Sequence, residues 1–153
     1  MNQYLTPSVK RGAIYFGIVV AVLGIIGAIP LLACLAFPLL CVAGFLVPIA
    51  IGWFVAQWGG VTDMGKGAMD GAIACGLGGL VGGIVTFLAN ICFNAVFFAI
   101  GMSSTASDMV GALIAGVIGG LMGWILGTIG AAIFGAVGGL LYVAIQGNKA
   151  KPA

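Results

Sequence analysis

From Gly111 to Gly139 every fourth residue is small: Gly111, Ala115, Gly119, Gly123, Gly127, Ala131, Gly135 and Gly139, set among Leu, Ile, Val and Phe. In lipid, burying apolar surface gives helices no net drive to associate. Small residues at this spacing instead let backbones approach closely and gain dispersion contacts. A step of four residues turns about 400°, so the row drifts about 40° per step around a straight helix. It cannot face one straight partner over its whole length. The row predicts either a right-handed crossing or a succession of partners, and Gly67, Gly71, Cys75, Gly79 and Gly83 form the natural internal partner row.

Composition fixes the solvent in which this packing takes place. Of the 153 residues, 63 % are hydrophobic and 5 % charged, far from the roughly 25 % charge of soluble domains. The chain reads as one all-α integral membrane domain over residues 1–153, with four transmembrane helices and glycine-zipper packing. The eight charges, Lys10, Arg11, Asp63, Lys66, Asp70, Asp108, Lys149 and Lys151, fall between or outside the apolar blocks. A net charge of +2 without a clustered basic face excludes nucleic acid as a partner. Cys34, Cys41, Cys75 and Cys92 lie in apolar segments without a C-x-x-C pair and read as packing residues.

Residues 12–57 are too long for one crossing and right for two. Pro30 and Pro38 predict the corner between spans at about 12–30 and 38–57, and Pro48 predicts a kink in the second. Lys10-Arg11, the apolar run to Ile29 and Leu31-Leu32-Ala33-Cys34 imitate a lipoprotein signal. Leu35 to Ala56 is again apolar, so an uncleaved first span is expected. Residues 57–67 form a polar, glycine-rich loop beside Trp53 and Trp58. The third span is expected at about 67–101 and the fourth at about 109–145, followed by a polar tail over 146–153. Ser103 to Asp108 suits an N-cap. The fourth block would measure about 55 Å as a helix, against a hydrocarbon core near 30 Å, so kinks, helical extensions or a re-entrant break are expected. Four spans put all five Lys and Arg residues on one side, which assigns both termini to the cytoplasmic face of a cell membrane.

Gly78-Gly79-Leu80-Val81-Gly82-Gly83-Ile84 matches Gly119-Gly120-Leu121-Met122-Gly123-Trp124-Ile125, which suggests an internal repeat of the third and fourth helices. Thr86, Asn90 and Asn94 form a polar stripe on one face of the third helix. They can link helices by hydrogen bonds or line a candidate polar pathway. Histidine and glutamate are absent, and the three aspartates are scattered over loop edges, so no acid–base, metal or haem chemistry is indicated and no cofactor is expected. Ser103, Ser104 and Ser107 have no base partner in reach and read as a turn. The glycines around Lys66 lack the spacing of a phosphate loop, and Lys66 with Asp70 reads as a surface pair.

Lys66-x-x-x-Asp70, followed after six residues by Leu77-Gly78-x-x-x-Gly82, resembles the preprotein and amino-acid transporter signature of the mitochondrial inner-membrane translocase family. That resemblance implies about four glycine-rich spans. Lys66 stands where the family has arginine, and Leu77 where it has a small residue. The whole chain is also similar to small uncharacterised prokaryotic polytopic membrane proteins with glycine-rich hairpins, a likeness that carries no activity. The expected function is that of a non-catalytic structural or accessory subunit in a homo-oligomer or larger membrane complex, with membrane lipid and other membrane subunits as its partners. The expected helix-packing residues are Gly71, Gly79, Gly83, Gly111, Ala115, Gly119, Gly123, Gly127, Gly135 and Gly139. The alternative is a small channel or transporter for a neutral solute or ion, lined by Thr86, Asn90 and Asn94.

Overall fold

The structure, a computed structural model, describes residues 5–99 and 106–146; within them, the side chains of 30–37, 94–95, 97–99, 106–109, 112–113 and 115 are outside the description. Cys34, Asn94, Ser107, Asp108 and Ala115 therefore carry no side-chain statement, and Ser103, Ser104, Lys149 and Lys151 lie outside the described residues altogether. Four helices follow one another: α1 Pro7–Ala28, α2 Pro30–Trp58, α3 Met64–Ala99 and α4 Ala106–Gln146. Each contains a stretch long and apolar enough to cross a membrane, namely Pro7–Ala28, Pro38–Trp58, Met64–Phe93 and Gly116–Gln146.

The helix ends follow from local chemistry. Thr6 caps α1, its hydroxyl accepting from the Val9 amide at 3.4 Å, with Pro7 at the first helical position, where a missing N–H costs nothing. The break between α1 and α2 is the single extended residue Ile29, which precedes Pro30 and so is pushed out of the helical region. The corner is thus narrower than the Pro30–Pro38 interval anticipated from sequence. Pro38 and Pro48 sit inside α2, each at the loss of one helical hydrogen bond, a defect that packed membrane helices tolerate.

Between α2 and α3 the chain turns through a Schellman motif. Gly60 adopts φ +58°, its amide donates to the Gln57 carbonyl and the Val61 amide donates to that of Ala56, both at 3.1 Å. Val61 is buried beneath the turn. Asp63 then starts α3, its carboxylate accepting from the Lys66 amide at 2.8 Å and its carbonyl from the Gly67 amide at 2.9 Å. The third helix accordingly begins at Met64, inside the segment read as loop. α4 runs unbroken for 41 residues, about 60 Å, so its excess length is carried as continuous helix and not as a re-entrant break.

The helices alternate in direction. α1 runs parallel to α3, with Gly17 against Gly78 and Gly24 against Thr86; α2 runs parallel to α4, with Phe45 against Phe134 and Trp53 against Tyr142. α3 packs most extensively, against α1 and α4, and α2 touches all three other helices; among the described residues the α1 backbone does not approach that of α4. The densest packing lies near the end that carries Pro7 and Gln146. There Val9, Val55 and Ala74 are fully buried, with Ile51 and Ile73 against them. Large apolar side chains such as Ile18, Leu39, Val81 and Leu126 cover the outside, as lipid-facing surface requires.

Candidate functional site

The glycine row of α4 divides into two parts. Near its C-terminal end backbones touch: a Cβ on Gly135 would meet the Gly71 carbonyl oxygen at 2.5 Å and the Cys75 sulfur at 2.7 Å, and one on Gly139 would overlap the Gly67 carbonyl. A Cβ on Gly71 would overlap the Gly135 carbonyl and lie 3.3 Å from the Gly52 Cα, so three helices converge on Gly52, Gly71 and Gly135. Cys75 adds a polar tie one turn further, its thiol 3.5 Å from the Pro48 carbonyl. A Cβ on Gly111, Gly119, Gly123 or Gly127 would meet nothing within 4 Å.

Helix geometry explains the division. The residues of α4 that meet α3 include Val143, Gly139, Gly135, Ala132, Thr128, Trp124 and Gly120, opposite Gly67, Gly71, Gly76, Gly79, Gly83 and Phe87. From Gly135 through Ala132 to Thr128 the contact face advances by three and then four residues, seven in all and close to two whole turns. The strict four-residue row rotates away from that face, carrying Gly127, Gly123 and Gly119 into open space. A Cβ on Gly79 would make only ordinary contact with Phe16 and Thr128, at 3.6 Å, and one on Gly83 would overlap the Trp124 indole. Several close approaches involve glycines off the row. Gly78 and Gly82 face α1, and Gly138 and Gly52 join α2 to α4. Their visible trace in the sequence is the doublet, since consecutive helical residues point about 100° apart and can serve two neighbours.

Above the three-glycine junction the bundle opens into a cavity of about 450 Å³ that draws its walls from all four helices, among them Phe16, Val47, Gly79, Phe87, Gly123 and Trp124. Thr86 and Asn90 lie on this wall. The Thr86 hydroxyl is 3.0 Å from the Gly82 carbonyl of its own helix and 3.3 Å from the Val20 carbonyl of α1, so its one proton serves both acceptors. The Asn90 amide donates to the Thr86 carbonyl at 2.9 Å. Sequence reasoning missed two further polar groups: the Trp124 indole nitrogen and the Thr128 hydroxyl are buried beside the cavity without a hydrogen-bond partner. Towards the Pro7 and Gln146 end the cavity is closed by the Gly52, Gly71 and Gly135 junction and the Val9, Val55 and Ala74 core.

Asp70 corrects the reading of a surface pair. Lys66 is exposed as expected and its charge acts on Asp70, but Asp70 is buried and no contact within 4.0 Å joins them. Among the described residues no three His, Cys, Asp or Glu side chains gather as metal ligands. The two segments matched as a repeat occupy unlike surroundings: Gly78, Gly79, Gly82 and Gly83 are enclosed between α1 and α4, whereas Gly119 and Gly123 are open.

The chain is therefore an all-α protein of the helical membrane class, with four apolar helices around a largely apolar cavity that carries a few polar groups. It matches no protein-family model, no curated protein and no solved structure.

Proposed function

We propose that the protein is a non-catalytic structural or accessory subunit of a membrane assembly, packed in a glycine zipper against a helix of a second copy or of another subunit through the open glycine face of α4. The observation that carries this reading is the divided row. Where the row has an internal partner, at Gly135 and Gly139, backbones come into contact. Where it has none, at Gly119, Gly123 and Gly127, the same small residues continue with nothing opposite. A leucine at those positions would cover more of the helix backbone and improve intrinsic propensity, and glycine forgoes both. Gly123 and Gly127 also border the cavity, so a helix seated on them would close its side.

The test is the paired substitution Gly123→Leu and Gly127→Leu, followed by native mass spectrometry of protein released gently from its own membrane. Loss of the assembly, with insertion and helix content unchanged, is the expected result. An assembly of unaltered mass would overturn the reading.

A second reading, a small channel or transporter for a neutral solute or ion, is favoured by the cavity and its Thr86 and Asn90 wall. It requires the Gly52, Gly71 and Gly135 junction to separate during passage. On this reading, reconstituted protein conducts a solute into liposomes and Asn90→Leu abolishes the flux without unfolding the bundle; flux indifferent to that change would remove the lining role.

A further inference from the structure

Asp70 is 3 % exposed, yet among the described residues it accepts no hydrogen bond and has no cation within 4.0 Å; the charge of Lys66 acts on it only from beyond that distance. A carboxylate so largely withdrawn from water, with its oxygens still reachable, gains from any donor supplied to it. It lines a second cavity, of about 310 Å³, at the Pro7 and Gln146 end of the bundle, together with Thr6, Ser8, Trp58, Gly59 and Lys66. The start of α1, the end of α2 and the start of α3 thus enclose one negative group, with the exposed ammonium of Lys66 one helical turn nearer the solvent. The volume corresponds to about ten water-sized groups, too much for a bare ion to fill.

We infer that this cavity binds the headgroup of a phospholipid carrying a primary ammonium, the ammonium donating to Asp70 and the phosphate lying against Lys66. The order of charges selects this chemistry. A ligand entering from the mouth must lead with a hydrogen-bond-donating cation and trail an anion. A glycerol headgroup has no cation for Asp70, and a trimethylated ammonium has no N–H to donate. The lipid origin follows from the wall. Trp58 is exposed at the end of α2, stacked on Phe54 and 5.9 Å from Tyr15, an aromatic group of the kind that marks the level of lipid headgroups. Below it Ile14 and Ile18 of α1 are exposed along the path of an acyl chain.

The experiment places the full chain in nanodiscs holding equal amounts of phosphatidylethanolamine, phosphatidylglycerol and phosphatidylcholine of the same chain length, and counts by native mass spectrometry the lipid retained on release. Retention of the ethanolamine lipid about tenfold above the other two is expected, the scale of a charge-assisted hydrogen bond. Asp70→Asn is expected to abolish the preference. Lys66→Gln, at an exposed position that leaves the fold in place, is expected to lower it several-fold. Equal retention of the three lipids, or a preference untouched by Lys66→Gln, overturns the assignment even if Asp70→Asn fails to fold. Millimolar soluble phosphoethanolamine is expected not to displace the lipid; displacement by it would overturn the lipid as occupant.

Discussion

Replacing Gly135 by alanine is expected to destabilise the folded bundle by about 3 kcal/mol, a shift of more than a hundredfold in the folding equilibrium. The added Cβ would lie 2.5 Å from the Gly71 carbonyl oxygen, 2.7 Å from the Cys75 sulfur and 2.8 Å from the Cys75 Cβ. The nearest of these is backbone, which no rotamer change can move. Relief requires α3 and α4 to separate, and at this level Gly52 of α2 is also in contact with Gly71 and Gly135. The strain therefore reaches three helices, which places the cost at the upper end of the range for overpacking. The control is Gly127→Ala in the same helix, where the new methyl meets nothing within 4 Å and the better helix propensity of alanine is expected to raise stability by about 0.5–1 kcal/mol. Both values are read from reversible unfolding in mixed micelles. A Gly135→Ala protein as stable as the Gly127→Ala protein would contradict the three-helix junction.

That contrast also shows what the sequence could and could not carry. The apolar blocks and their loops were legible because lipid demands long uncharged helices, and Asp63 and Gly60 stand where a cap and a turn need them. The drift of the four-residue row was legible as arithmetic, but not the point at which it leaves its partner. That point depends on the crossing of α3 and α4, a property of two surfaces together. Pro30 and Pro38 are equivalent as residues; only Pro30 opens a helix, with Ile29 extended before it. Thr86 and Asn90 were visible as polar residues at helical spacing. Trp124 was hidden among apolar neighbours, and its unsatisfied N–H becomes evident only once Gly83 is packed against its ring. Asp70 was misread for a related reason: four residues from a lysine on one helix is a local relation, and its burial comes from α1 and α2.

A second large effect is expected on the opposite face of α3. Gly78→Val should undock α1 while leaving α3 and α4 together. A Cβ on Gly78 would sit 2.6 Å from the Ala13 carbonyl oxygen and 3.0 Å from the Gly17 amide nitrogen, and one on Gly82 would lie 2.6 Å from the Gly17 carbonyl oxygen. Two successive turns of α3 thus lie on the α1 backbone, and valine brings two further methyl groups into space already filled. The cost is expected at about 3 kcal/mol, with α1 as the element that yields because, among the described residues, its backbone does not lie against α4. The adjoining residues Gly79 and Gly83 face Thr128 and Trp124 of α4, about 100° around the helix, so that seam is not entered by the new side chain. Distance labels at exposed Ile18 and Leu80 are expected to show a lengthened, broadened α1–α3 separation, while labels at Leu80 and Ile129 keep the wild-type α3–α4 distance. If both distances broaden together, the two seams form one cooperative unit, and α3 does not serve its neighbours independently through the two members of each glycine doublet.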